Sequence, residues 1–168
     1  AQRIEALAAR HGRAVDWRPI LLGVVFKVAG TAPLTEIPLK GEYSKRDFAR
    51  SARYHGLGEF RMPPVFPIPS QAPSRIMLWA GAEDPAARGR VAQALYRAVF
   101  VDGLDISQPD VAATVAGRAG FDAGELSPAL ADSTADPLFL VPATAHRPGD
   151  GSTTSALTLA VRVTYTRV

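Results

Sequence analysis

Hydrophobic and polar positions alternate with changing period along the chain. Ile4, Leu7, Ala8 and His11 recur at helical spacing, and Gly12 follows, so a helix is predicted over 1–12. Val15-Asp16-Trp17-Arg18 alternates and predicts a short strand running into Pro19. A helix followed by a strand is half of a βαβ unit. The apolar block Ile20 to Phe26 ends on one charge, Lys27, and Gly30-Thr31-Ala32-Pro33 breaks it. Two readings stay open for Lys27. It is the basic residue in the last turn of a helix capped by Gly30, or it stands beside a Gly-Thr turn and binds an anion.

The middle of the chain is helical in period. Residues 34–42 are turn-rich, with Pro38 and Gly41. A helix is predicted from Tyr43 or Ser44 through about His55, with Gly56 as its stop and Asp47 and Arg50 paired on one face. Five prolines fall within 59–73, interleaved with Phe60, Val65, Phe66 and Ile68. Those apolar side chains favour burial, so the stretch reads as an ordered loop. Helices follow over Ser74–Ala80 and Asp84–Val101, the second with Val91, Ala92, Leu95, Ala98 and Val99 as its stripe and Tyr96 and Phe100 widening it. A helix starting at Ser107 or Asp110 runs through Ala116 and is expected to pack on 84–101. Another spans Ala123–Leu130, with Gly124 and Pro128 inside it. After about Asp132, Thr and Ser become frequent. Leu157, Leu159, Val161, Val163 and Tyr165 then alternate strictly with more polar neighbours, a strong strand pattern.

Composition narrows the function classes. At 168 residues, 47% hydrophobic and 21% charged, the chain is large enough for one domain with a real core. Ile20–Phe26 is too short to span a bilayer, and residues 1–13 lack the apolar core of a signal peptide. The expectation is a cytoplasmic protein without a membrane partner. Cysteine is absent, which removes disulfides, thiolate metal sites and thiol catalysis by the chain itself. His11, His55 and His146 lie too far apart in sequence for a spaced ligand set, and no metal is expected. The net charge of +3 comes mostly from scattered arginines. That pattern argues against nucleic acid and suits small anions such as carboxylates and glutathione.

Several segments in order, WRPILLGVVFKVAGTAP, KGEY, SKRDFARSARYHGL, PPVFPIPS and VFVDGLDISQPDV, resemble the 2-hydroxychromene-2-carboxylate isomerases over about residues 1–130. Relatives of those enzymes are the kappa-class glutathione transferases and the DsbA-like thioredoxin-fold group. The resemblance implies an α/β fold: a thioredoxin-like domain with a large helical insertion and an incomplete sheet. It divides the chain into a partial thioredoxin-like βαβ segment, 1–34, a helical insertion, 35–130, and a divergent tail, 131–168. It implies glutathione as cofactor, an aromatic carboxylate as substrate, and admits a homodimer.

The resemblance assigns few residues. Lys27 matches a lysine beside the substrate carboxylate. Thr31 stands where the family has an Asn that touches glutathione, and Ser70 falls in the substrate loop, after Pro69 in a position often held by Asn. No catalytic residue is assigned, because the family's first strand and its Ser-Pro turn align ahead of Ala1. The chain is therefore expected to be N-terminally incomplete, with strand 15–18 lacking its parallel neighbour and the 168-residue chain inactive alone. Past 130 the family's helix, Gly-Val-Pro turn and final strands find no match, and Leu140-Val141-Pro142 is a poor substitute. A shifted reading frame or a truncation is expected there; the alternative is a genuine terminus with 155–168 as an edge strand. Enzyme status is thus open between the isomerase, a kappa-like glutathione transferase, and a non-catalytic fragment or interaction domain.

Overall fold

A computed structural model of the chain describes residues 2–131 and 157–164. Helix α1 (Ile4–Arg10) stops before Gly12, as its spacing predicts, and strand β1 (Ala14–Leu21) follows. The strand is longer than its alternating part because Pro19-Ile20-Leu21 continues extended, with Pro19 and Leu21 buried. It passes without a loop into helix α2 (Leu22–Ala29). Strand β2 (Leu157–Thr164) pairs antiparallel with β1, Ala14 opposite Thr164 and Leu21 opposite Leu157. The period-two pattern near the C-terminus thus becomes a strand, and its neighbour is β1. The sheet has two strands among the described residues. Leu140-Val141-Pro142 falls outside the described residues.

The end of α2 is a glycine-capped helix terminus, as the Gly30 turn predicts. Gly30 is left-handed at φ 63°, ψ 33°. The Gly30 N–H donates to the Lys27 carbonyl at 3.3 Å and the Thr31 N–H to the Phe26 carbonyl at 3.0 Å. These paired bonds satisfy carbonyls that the helix leaves over, and Lys27 sits in the last turn.

Helix α3 (Lys40–Tyr54) begins three or four residues earlier than its apolar spacing suggests. A tight turn centred on Leu39 starts it: φ is 65°, ψ is −48°, and the Lys40 N–H donates to the Pro38 carbonyl at 2.7 Å. Such a turn is strained for a residue with a side chain. Gly41 lets α3 lie against a 3-10 turn at Leu34–Glu36, since a Cβ there would run into the Thr35 carbonyl oxygen. Asp47 and Arg50 form the expected ion pair.

Four helices make the main body: α4 (Gln71–Glu83), α5 (Ala87–Phe100), α6 (Pro109–Arg118) and α7 (Ala123–Ala131). Helix α4 exceeds the predicted Ser74–Ala80 because Pro73 falls in its first turn, where a missing N–H costs no helical bond. Helix α5 starts at Ala87, not Asp84. Asp84-Pro85-Ala86 forms the preceding turn, in which the Ala86 N–H donates to Asp84 Oδ1 at 2.9 Å. As expected, α5 packs on α6. Ile76, Met77, Leu95, Ile106 and Leu126 are fully buried where these helices meet. Trp17 carries β1 into that core, its Nε1 donating to Glu5 Oε1 at 2.9 Å. Gly89 of α5 makes the room, because a Cβ would stand 3.0 Å from the indole and 2.8 Å from that carboxylate oxygen.

Candidate functional site

Two of the anticipated site residues, Lys27 and Thr31, flank the cap of α2. Lys27 and Thr31 are both exposed, on either side of left-handed Gly30, and the bonds across the cap fix the backbone between them. The site therefore offers an ammonium, a hydroxyl donor and an accessible surface. The helix end itself carries partial negative charge, which favours the lysine more than an approaching anion. The helix dipole at this end gives an anion no help, so only side chains could hold one.

Ser70 is placed differently. It directly precedes α4 and is 1% exposed. Its carbonyl accepts the Ser74 N–H at 3.0 Å, so its backbone belongs to the first turn of the helix. One turn on, the buried Ser74 hydroxyl has no partner among the described residues.

A separate groove opens between α3, the loop 56–66 and the last turns of α5. It encloses about 520 Å3 and is lined by neither Lys27, Thr31 nor Ser70. Aromatic rings build it. Phe60 stacks on Phe100 at 5.8 Å and 18°, and Tyr96 stacks on Phe100 at 6.2 Å and 24°. Phe66 tilts against Phe100 at 5.9 Å and meets Phe48 edge-on at 6.5 Å. The loop is tied to α5 where the Arg61 N–H donates to the Phe100 carbonyl at 2.7 Å, one of the carbonyls the helix cannot satisfy internally. The Phe66-Pro67 bond is cis. At the rim, Arg97 Nη1 donates to Glu59 Oε2 at 3.0 Å, with side chains 54% and 67% exposed.

Sequence reading found parts of this groove without joining them. It placed Phe60 and Phe66 in an apolar loop and saw Tyr96 and Phe100 broaden the α5 stripe. It missed Arg97 and Glu59, which stand beside Phe100 and Phe60 and bracket the rings with charge. A second cleft of about 500 Å3, lined by Glu5, Arg13, Trp17 and Arg90 among others, lies where α1 and β1 meet the start of α5. Among the described residues no group of three or more His, Asp or Glu side chains is arranged to hold a metal, and no helix is long and apolar enough to cross a membrane.

A family model for DSBA-like thioredoxin domains matches residues 1–139. No curated protein matches the chain.

Proposed function

The chain belongs to the DSBA-like thioredoxin domain family, and from that premise we propose that it serves glutathione-dependent isomerisation of a 2-hydroxychromene-2-carboxylate type of aromatic substrate. One observation carries the reading: Lys27 and Thr31 are both exposed at the glycine cap of α2, in a stretch of 168 residues that holds no cysteine. None of these 168 residues supplies a thiol, and in this reading the sulfur comes from a small molecule. Bound glutathione supplies a thiolate nucleophile.

The residues at the cap suit such a ligand, which carries carboxylates at its ends and amides between them. Lys27 is assigned the substrate carboxylate, which it meets as a flexible point charge. Thr31 is assigned one hydrogen bond to glutathione, where an amide side chain would make two. Ser70, buried at the start of α4, is assigned a supporting role in the loop and no direct contact.

The test is turnover by the polypeptide of the whole reading frame, followed as loss of chromene absorbance with and without glutathione. Glutathione-dependent turnover is expected, and Lys27→Met is expected to raise KM by about tenfold or more, the range for losing a charge-assisted bond. Lys27→Arg restores it only in part. Absence of glutathione-dependent turnover overturns the isomerase reading. Unchanged KM in Lys27→Met leaves Lys27 as a helix-end residue alone.

A further inference from the structure

The aromatic groove has no part in the isomerase proposal, and its construction points to a ligand of its own. We propose that it is a second binding site, for a flat aromatic molecule with one anionic head, and that the head displaces Glu59 from Arg97.

The shape of the walls argues for a planar ligand. Phe60, Phe100 and Tyr96 lie within 18° and 24° of parallel across the two stacked pairs, so they set one ring orientation. A flat molecule entering along that plane extends the stack, whereas an aliphatic chain gains only burial. At about 520 Å3 the groove is the size of ordinary small-molecule sites, commonly about 300–1,000 Å3. Its lining is mainly aromatic and aliphatic, with a few polar groups at the edge.

The charge of the head follows from what holds each partner of the rim pair. Arg97 projects from α5, three residues before Phe100, so guanidinium and ring wall are neighbours on one rigid helix. Glu59 comes from the loop, beside Phe60, and is 67% exposed. Water screens the pair, so Glu59 is a weak competitor and can turn out into solvent. A carboxylate or sulfonate attached to a ring already stacked on Phe100 meets Arg97 with its entropy largely spent on the ring, and replaces Glu59. An ammonium head would instead face the guanidinium. The net charge of +3 favours the approach of anions over cations.

The experiment is calorimetric titration of the protein with three probes of one shape: 2-naphthoate, neutral 2-naphthol and the cation 2-naphthylmethylammonium. Naphthoate is expected to bind about tenfold tighter than naphthol, the size of a charge-assisted contact. Arg97→Gln is expected to abolish that preference while leaving naphthol binding in place. Glu59→Gln is expected to strengthen naphthoate binding a few-fold, because it removes the competitor. Phe100→Leu is expected to weaken naphthol and naphthoate binding several-fold, which places the site in the groove and not at the cap of α2. Several results overturn the proposal: no naphthoate binding at millimolar concentration, a preference for the ammonium probe, a preference that survives Arg97→Gln, weaker naphthoate binding in Glu59→Gln, or naphthol binding unchanged in Phe100→Leu. Glutathione-dependent turnover is measured apart from these titrations, so either proposal can fail alone.

Discussion

Helices α3 and α5 have nearly the same length, 15 and 14 residues, and are held in place in different ways. Helix α5 buries seven residues, among them Val91, Leu95 and Val99 with no exposed surface. Helix α3 buries three, Gly41, Ser44 and Ala52, all small. Its larger apolar side chains stay at the surface, with Phe48 43% and Tyr54 85% exposed. Hydrophobic burial anchors α5, whereas α3 is seated by close backbone approach at Gly41 and by the edge contact of Phe48 with Phe66. An amphipathic helix therefore need not bury large residues, provided a neighbour fits its backbone. The groove lies between the two helices, where Phe48 of α3 meets Phe66 of the loop and Phe66 meets Phe100 of α5.

The sharpest way to break this contrast is in α5. Leu95→Ala removes a fully buried side chain from the meeting point of the main helices. It is expected to cost about 2–5 kcal/mol of global stability, read from chemical denaturation. A cost below about 1 kcal/mol, the range of ordinary surface changes, would mean that α5 is not the anchor.

Gly41→Ala tests α3. The added methyl meets a backbone oxygen of Thr35 that cannot move without shifting the 3-10 turn. The expected cost is about 1–3 kcal/mol, as for overpacking. Hydrogen exchange is expected to quicken in α3 while α5 amides stay protected. Equal loss of protection in both helices would show that they unfold as one unit.

Leu39→Gly sharpens the same point with the opposite sign. Leu39 is 90% exposed and holds φ at 65°, so it contributes strain and little burial. Glycine accepts that backbone freely, and the change is expected to raise stability by up to about 1 kcal/mol. A loss of stability would mean that the leucine side chain holds the start of α3 in place.

The smallest effect belongs to the turn that leads into α6. Asp105 accepts from the Ser107 hydroxyl at 2.6 Å and from its N–H at 3.0 Å. The hydroxyl bond is the main cause that holds its carboxyl below the usual range; burial opposes it, and the Ser107 backbone and Gln108 bonds add lesser lowering contributions. A carboxylate held low contributes stability above its unfolded pKa and loses it as pH falls through the folded value. Because the turn is exposed, the contribution is expected to be at most about 0.5 kcal/mol. Asp105→Asn is expected to lower thermal stability slightly at neutral pH and to leave it unchanged at strongly acid pH. An equal loss at both would assign the effect to shape and not to charge.

The sequence by itself determined what depends on a few neighbouring residues. The spacing of Val91, Ala92, Leu95, Ala98 and Val99 is a helical stripe, and the alternation from Leu157 is a strand, wherever they later pack. Gly30 ends α2 because few other residues take its left-handed φ, and Lys27 in the last turn follows from the same local geometry. Motif order made the DsbA-like family legible, and the match over 1–139 agrees with it. Helix starts were less legible: α4 begins at Gln71, ahead of the predicted Ser74, with Pro73 in a first turn that tolerates it, and α3 begins at a strained turn that no residue preference announces. Only the tertiary structure decided who meets whom. It set β2 against β1, buried Ser70, fitted Gly41 to Thr35 and Gly89 to Trp17, and joined Phe60, Tyr96, Phe100, Arg97 and Glu59 in one groove. Periodicity and dihedral preference act over a turn or a pleat, whereas these contacts join residues far apart in the chain. Their distances depend on how every intervening element packs.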